Sequence, residues 1–374
     1  MSKPIRVLHV IGMLNRGGAE TMIMNLYRNI DRNKIQFDFV QNEGPEAAFD
    51  EEIVEFGGRI HHCPRYRGKN HFAYVKWWND FFQKHQGEYP IVHGHIGSTA
   101  AIYLSIAKKY GCYAIAHSHS AGRGSIFYRL MTYPTRYVAN WFFACSLDAA
   151  RSRYGLKIRN NGKRCVVLNN AIDTKRFSYA YLSRQQMREY LHIHQDTLVI
   201  GHVGRFIEVK NHMFLIEVFE QIHKYNTDSV LLLVGDGPLR PRVEALIVQK
   251  NLQNSVIMTG VQNDVSMYNQ AMDVLVMPSV FEGVPVSLVE AQAAGLPCCV
   301  SAGVPREAAI TDLVQFKSLE EPADQWAQWV LERANTPRKD MSEEMKKAGY
   351  DVSETAQWLQ EFYLEVVRSH ERED

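Results

Sequence analysis

Several familiar signals are missing from this 374-residue sequence, and each absence removes a class of function. Its six cysteines (Cys63, Cys112, Cys145, Cys165, Cys298 and Cys299) form no C-x-x-C pair and no zinc-type spacing. They read as small buried apolar residues in a reducing compartment rather than as disulfides. No run of about 18 apolar residues occurs, so no helix is expected to span a bilayer. The chain enters a strand pattern at Val7 without a secretory leader, which makes the cytoplasm its expected location. A formal net charge of +1 gives no nucleic-acid footprint. G-x-G-x-x-G is absent, which removes the dinucleotide fingerprint. D-x-D is absent as well.

What is present is a rhythm. Short apolar runs at Val7–Ile11, Phe37–Val40, Ile91–His93, Ala114–His117, Phe142–Cys145 and Val166–Leu168 alternate with helical patterns. The rhythm restarts with Leu198–His202, Val230–Val234, Val256–Thr259, Val274–Met277 and Cys298–Val300. Helices are expected near His212–Tyr225, Leu239–Lys250, Val265–Ala271 and Val286–Ala294. Strands separated by helices in this way predict parallel, doubly wound α/β sheets, and two series predict two Rossmann-like domains. The polar segment 177–196 lacks β-type runs and reads as a junction. The boundary is set at 180, giving domains 1–180 and 181–353. A last helix, about Glu354 to Arg368, carries Ala356, Leu359, Phe362, Tyr363 and Val366 on one face and must pack on something. Between Phe127 and Phe143 lies an aromatic and basic stretch. It fits a buried helix pair broken at Pro134 or a segment lying on a membrane surface, and both readings stay open.

Doubly wound sheets bind ligands in the loops beyond the carboxyl ends of their strands, so those loops are the places to search. After the first strand, Gly17 and Gly18 allow close backbone approach at a helix start that favours an anion or an oxygen-rich ligand. After the first strand of the second series, Gly204 clears space beside Arg205 and Lys210, two cations suited to a diphosphate. The loop after Val274–Met277 carries Glu282, Gly283, Val284 and Pro285, with Glu290 two turns into the next helix. Carboxylates there suit sugar or ribose hydroxyls. Finally His117 and His119 end one strand while His93 and His95 end another. The H-x-H spacing invites a metal reading, but hydrogen bonding to a sugar is the more economical one, and no metal is assigned.

These residues resemble family 4 glycosyltransferases. The resemblance is carried by Gly204-Arg205 with Lys210-Asn211, Gly235-Asp-Gly-Pro238, and Glu282-Gly through Glu290-Ala-Gln-Ala-Ala-Gly-Leu-Pro297. Arg16-Gly-Gly-Ala-Glu20 and Ile172-Asp-Thr-Lys-Arg-Phe177 extend it. It covers about residues 5 to 300, and its look is that of bacterial capsular and exopolysaccharide enzymes. The resemblance implies a GT-B fold: two Rossmann-like doubly wound parallel-sheet domains facing a central cleft. The last helix, 354–374, would cross back to the N-terminal domain. The N-terminal domain would bind the acceptor, and 181–353 would bind a nucleotide-sugar donor.

By the same resemblance Arg205 and Lys210 neutralise the donor diphosphate, Glu290 binds ribose, and Glu282 binds the transferred sugar. Gly17 and Gly18 approach donor phosphate and sugar. His119 contacts the sugar, with His117 as its alternative. His95, Gly204, Gly235, Gly283, Val284 and Pro285 complete the expected binding set. Retention of anomeric configuration without a metal or cofactor is implied, the donor being a UDP-sugar co-substrate. The acceptor would be a glycan or lipid-linked sugar, with peripheral contact at the inner face of the membrane. No carboxylate nucleophile can be named, which favours front-face substitution. Two rivals share parts of this pattern: a nucleotide-sugar 2-epimerase of the same architecture, and a non-catalytic nucleotide-sugar-binding protein.

Overall fold

The apolar runs do become parallel strands. In the computed structural model, residues 3–119, 126–155 and 165–370 are described. The chain divides into two units, Met1–Ala171 with Val352–Asp374, and Ile172–Asp351. In the first, strands β1 (Ile5–Val10), β2 (Ile35–Asn42), β3 (Ile60–Cys63), β4 (Ile91–Gly94), β5 (Tyr113–Ser118), β6 (Trp141–Ala144) and β7 (Cys165–Val167) form one sheet. Its order is β3-β2-β1-β4-β5-β6-β7. In the second, β8 (Leu198–Val203), β9 (Ser229–Val234), β10 (Val256–Met258), β11 (Val274–Met277), β12 (Cys298–Ser301) and β13 (Val314–Lys317) run β10-β9-β8-β11-β12-β13. In each sheet the order reverses beside the first strand of the series, between β1 and β4 and between β8 and β11. That switch point is where such sheets take ligands.

The Val352–His370 helix belongs to the first unit although it follows the second in sequence. Val352, Ala356, Leu359, Tyr363 and Val366 recur at helical spacing and are buried among Phe37, Phe39, Ile91, Ile115 and Phe143. Residues 371–374, the end of the expected helical segment, lie outside the described residues. All six cysteines are buried and free of disulfides.

The junction expected at 177–196 is not a linker. It contains a helix, Tyr181–Tyr190. Arg188 is fully buried there, donating to the carbonyls of Ala271, His194, Gln195 and Thr197 and to Asp273 Oδ2 at 2.7 Å. Arg184 meets the other oxygen of Asp273 at 2.5 Å. Those bonds tie the segment to the second sheet, so the break falls at 171/172 rather than at 180. Ile172 bridges Asp351, and the Thr174 hydroxyl donates to the Asp351 carboxylate at 2.6 Å, closing the second unit on itself.

The aromatic stretch forms two short helices, Ile126–Thr132 and Thr135–Val138, on either side of Pro134. The pair is buried on one side only: Thr132 and Thr135 are buried, whereas Leu130, Tyr133 and Tyr137 are 67%, 49% and 72% exposed. The side chain of Phe127 lies outside the described residues. Among the described residues no helix is long and apolar enough to cross a membrane.

Candidate functional site

In the second unit three loops meet at the carboxyl ends of β8, β9 and β11. Two of them cross almost backbone to backbone, which explains their glycines. A Cβ on Gly235, whose φ is +137°, would stand 2.1 Å from the Gly204 carbonyl oxygen. One on Gly237 would stand 2.6 Å from the Phe206 oxygen. Gly204 N–H donates to Val234 and Phe206 N–H donates to Asp236, locking the crossing. Gly235 is therefore an architectural residue that holds the Gly204 turn from behind. Asn211 adopts the left-handed conformation, φ +55°, which turns the chain into the His212–Tyr225 helix.

The third loop seats Glu282. Val280 N–H donates to the Val209 carbonyl at 2.8 Å and Glu282 N–H to Gly303 at 3.2 Å. Lys210 Nζ then lies 2.6 Å from Glu282 Oε1, with both side chains largely buried. Arg205 is exposed, and no ion pair engages it among the described residues. A Cβ added to Gly283 would meet open space, whereas Val284 is buried. Pro285 stands at the N-cap of the Val286–Ala293 helix, one residue before the first turn. Glu290 lies inside that helix, 8% exposed. Burial, helped by the charge of Asp264 and opposed by Arg176, pushes its pKa up to about 8. Arg176 and Asp264 form an ion pair of their own at 3.0 Å.

The first unit gathers histidines where β1, β4 and β5 lie side by side. His9 pairs with His93 across β1 and β4, and His95, His117 and His119 complete the group. His9 Nδ1 is 3.0 Å from His95 Nε2, and His95 Nδ1 is 2.8 Å from His119 Nε2. In the other row, Tyr363 hydroxyl to His93 Nδ1 is 2.6 Å and His93 Nε2 to His117 Nδ1 is 3.2 Å. The ring centroids of His9 and His95 are 5.3 Å apart. That equals the nitrogen separation plus two ring radii, so the rings meet end to end in one plane. The two rows lie on one another, His93 over His95 at 4.5 Å and His117 over His119 at 4.1 Å. Burial lowers every one of these imidazoles, His9 to about 3 and His119 to about 4, so the rows are neutral. His95, His117 and His119 also line a cavity of about 100 Å³ with Tyr128, Thr132 and Arg153.

Two triads, His9–His93–His95 and His95–His117–His119, place candidate ligand nitrogens within 4.8 Å of one another. Along the rows the nitrogens face each other at hydrogen-bond distance. His95 has both nitrogens engaged and serves as the link that holds His119. Ser120, next to His119, lies outside the described residues. The glycine turn differs from expectation too. A Cβ on Gly17 would stand 2.3 Å from Glu20 Oε2, so the start of the Gly18–Asn29 helix is covered by the chain's own carboxylate.

Comparison with known proteins matches this architecture. Residues 16–176 match the model described as Glycosyltransferase Family 4, and residues 197–331 match Glycosyl transferases group 1. A putative glycosyltransferase of Bacillus subtilis (strain 168), EpsF, is 34% identical over 380 residues, spanning 98% of each chain. The chain belongs to glycosyltransferase family 4. An Escherichia coli UDP-Gal:alpha-D-GlcNAc-diphosphoundecaprenol alpha-1,3-galactosyltransferase is 28% identical over 230 residues, 57% of this chain and 58% of that one. The crystal structure of Anabaena HepE in complex with UDP and glucose superposes with a TM-score of 0.75 at 16% identity, covering 96% of this chain and 99% of that one. The fold is GT-B.

In this glycosyltransferase, sequence reasoning passed over several residues that shape the site. Ser301 and Gly303 support the Glu282 loop: the Ser301 hydroxyl donates to the Ser279 carbonyl, and a Cβ on Gly303 would stand 2.2 Å from the Val280 oxygen. His202 is fully buried beneath Gly204. Its Nδ1–H donates to the Val276 carbonyl at 2.8 Å, which leaves Nε2 bare. His9 completes a histidine row. All are ordinary strand or loop residues until the strand order is known.

Proposed function

We propose that this glycosyltransferase moves a sugar from a nucleotide-sugar, with UDP as the carrier, to a glycan or lipid-linked acceptor during polysaccharide assembly. The observation that carries this reading is the Lys210–Glu282 pair, a cation and a carboxylate 2.6 Å apart beside the Gly204 turn. Lys210, with Arg205, would meet the donor diphosphate and Glu282 a sugar hydroxyl, while Glu290 would take the ribose. UDP in the HepE complex and the UDP-sugar and diphosphoundecaprenol in the Escherichia coli relative's name support the donor and acceptor classes. As the glycosidic bond lengthens, negative charge grows on the leaving phosphate and Lys210 stabilises it. With no carboxylate nucleophile in reach by sequence, attack of the acceptor hydroxyl from the leaving-group side gives retention. An inverted product anomer in the NMR spectrum would overturn that step. No metal enters this scheme.

The test is a thermal-shift series with UDP, GDP, ADP, NAD and UDP-sugars, with and without EDTA. A ligand that binds only the folded state raises the melting temperature with its occupancy. UDP is expected to give a shift that survives EDTA and shrinks in Arg205→Ala and Glu290→Ala. A shift with NAD alone, or one abolished by EDTA, contradicts the proposal. We place the enzyme in the cytoplasm, peripheral on the inner face of the membrane. Support comes from exposed Leu130, Tyr133 and Tyr137 beside Arg129 and Arg136, a surface suited to an anionic interface. Sedimentation with anionic vesicles should fall when all three are changed to serine. Unchanged sedimentation would exclude this surface as the contact.

A further inference from the structure

The proton positions in the two histidine rows can be worked out from their ends. Tyr363 is fully buried, and among the described residues its hydroxyl meets only His93 Nδ1, 2.6 Å away. A buried O–H without an acceptor is costly, so the hydroxyl donates and His93 Nδ1 accepts. His93 is neutral because burial, then the neighbouring His9 and His119, hold its pKa well below the ordinary value. Its one proton therefore sits on Nε2, which donates to His117 Nδ1 at 3.2 Å. His117 is neutral for the same reason, burial first, so its own proton sits on Nε2.

The second row is set from its other end. His9 Nε2 is buried without a hydrogen-bond partner among the described residues, and its ring centroid is 4.2 Å from that of Phe37. Aromatic rings lie beside this imidazole, Phe37 tilted at 48° and Phe39 stacked at 5.5 Å, and in such surroundings an N–H gains from the neighbouring π systems while a bare nitrogen gains nothing. With the proton on His9 Nε2, His9 Nδ1 accepts from His95 Nε2, and His95 Nδ1 accepts from His119 Nε2. His119 Nδ1 is left as a lone pair. The remaining nitrogens, His117 Nε2 and His119 Nδ1, have no partner among the described residues.

We propose that Tyr363, through His93, and His9, through His95, are positioning residues that fix His117 as a donor at Nε2 and His119 as an acceptor at Nδ1. A hydroxyl both accepts and donates, so this pair of stacked rings, 4.1 Å apart, is polarised to read a sugar hydroxyl. The ligand class rests on the glycosyltransferase reading above; the proton positions do not. Tyr363 lies on the Val352–His370 helix, so that helix carries a chemical role in addition to its packing.

The experiment is nitrogen-15 NMR of the full chain labelled at histidine, with His117→Asn and His119→Asn used only to assign signals. In the wild type, His93, His117 and His119 are expected as single Nε2–H tautomers at neutral pH. A proton on His117 Nδ1 or His119 Nδ1 overturns the corresponding row. Tyr363→Phe keeps the ring packing and removes the donor. His117 should then become a mixture of tautomers, with kcat/KM about tenfold lower, the loss of one aligned hydrogen bond, and UDP affinity unchanged. An unaltered His117 signal in Tyr363→Phe refutes the positioning role even if activity falls. If no sugar donor proves active, the tautomer signals still decide the inference, so its failure and that of the proposed function are distinguishable.

Discussion

Replacing Lys210 by methionine is expected to cut turnover about 100- to 1,000-fold, the usual loss when one preorganised stabiliser of developing charge is removed. Methionine keeps the apolar stem that packs at the Gly204 turn, where the Lys210 Cδ and Cε would lie 3.5 Å from an added Cβ. What it removes is the charge. Lys210 and Glu282 are only 14% and 12% exposed, so their fields are weakly screened and the ammonium acts at short range. Arg205 offers the contrast: its guanidinium is exposed, and its removal should cost about tenfold, in line with a screened surface charge. Steady-state kinetics with a UDP-sugar separate the two effects. Because charge on the leaving phosphate grows toward the transition state, kcat should fall more than KM rises. Lys210→Met within tenfold of wild type would falsify its role. The pair is also coupled, since either single change strands the other charge. Adding Glu282→Gln to Lys210→Met should therefore cost much less than the two losses multiplied.

How much of this could be seen in the amino-acid sequence depended on where each residue lies in its sheet. Central strands are buried on both faces and read as continuous apolar runs: Val274–Met277 matches its predicted limits, and Leu198–Val203 extends its own by one residue. The His212–Tyr225 helix also matches its predicted limits, because its buried residues follow one helical stripe. Edge elements escaped. β3 is Ile-His-His-Cys, only partly buried and paired on one side with β2, so its pattern resembles a polar loop. The His71–Lys84 helix was legible in principle, since Tyr74, Trp78, Phe81 and Phe82 recur at helical spacing. The helix at Tyr181–Tyr190 was hidden by its arginines. Arg184 and Arg188 look like solvent-facing charges until Asp273, far along the chain, is placed beside them.

The candidate site divides in the same way. Loops that carry Gly204, Lys210 and Glu282, and the helix that carries Glu290, announce themselves because cations, carboxylates and glycines interrupt apolar runs. The histidine rows do so only in part: His93, His95, His117 and His119 stand out at two strand ends, but His9 does not. His9 sits mid-strand in Val7-Leu-His-Val10, and only the placement of β1 beside β4 brings it to His93 and His95. Nothing local in the sequence encodes that neighbour. Glu20 is a related case: it lies three residues past Gly17, and only the turn geometry reveals that it covers the helix start.

Glu290 makes the strongest pH-dependent prediction. Burial raises its pKa to about 8, so below that pH the unliganded protein holds a neutral acid. The proposed ribose contact calls for the carboxylate, which accepts from two hydroxyls. Binding then requires loss of a proton, and affinity should rise about tenfold per pH unit between pH 6 and 8 and level off above. Phosphate titration would blur this for UDP alone. The UDP to 2′-deoxy-UDP affinity ratio cancels that contribution and isolates the ribose contact. In Glu290→Gln the ratio should be smaller and flat with pH. Stability must move in the opposite sense. The folded state keeps a proton that the unfolded chain releases above the ordinary glutamate pKa, so stability is lost as pH rises through 8. Glu290→Gln removes that penalty and should be the more stable protein at pH 9, by up to about 5 kcal/mol. A flat wild-type ratio, or a glutamine variant that melts lower at pH 9, would count against a buried neutral glutamate at this position. The same burial that destabilises the free enzyme at high pH leaves the carboxylate without solvent to compete with the ribose hydroxyls, and the two measurements read one free energy from its two sides.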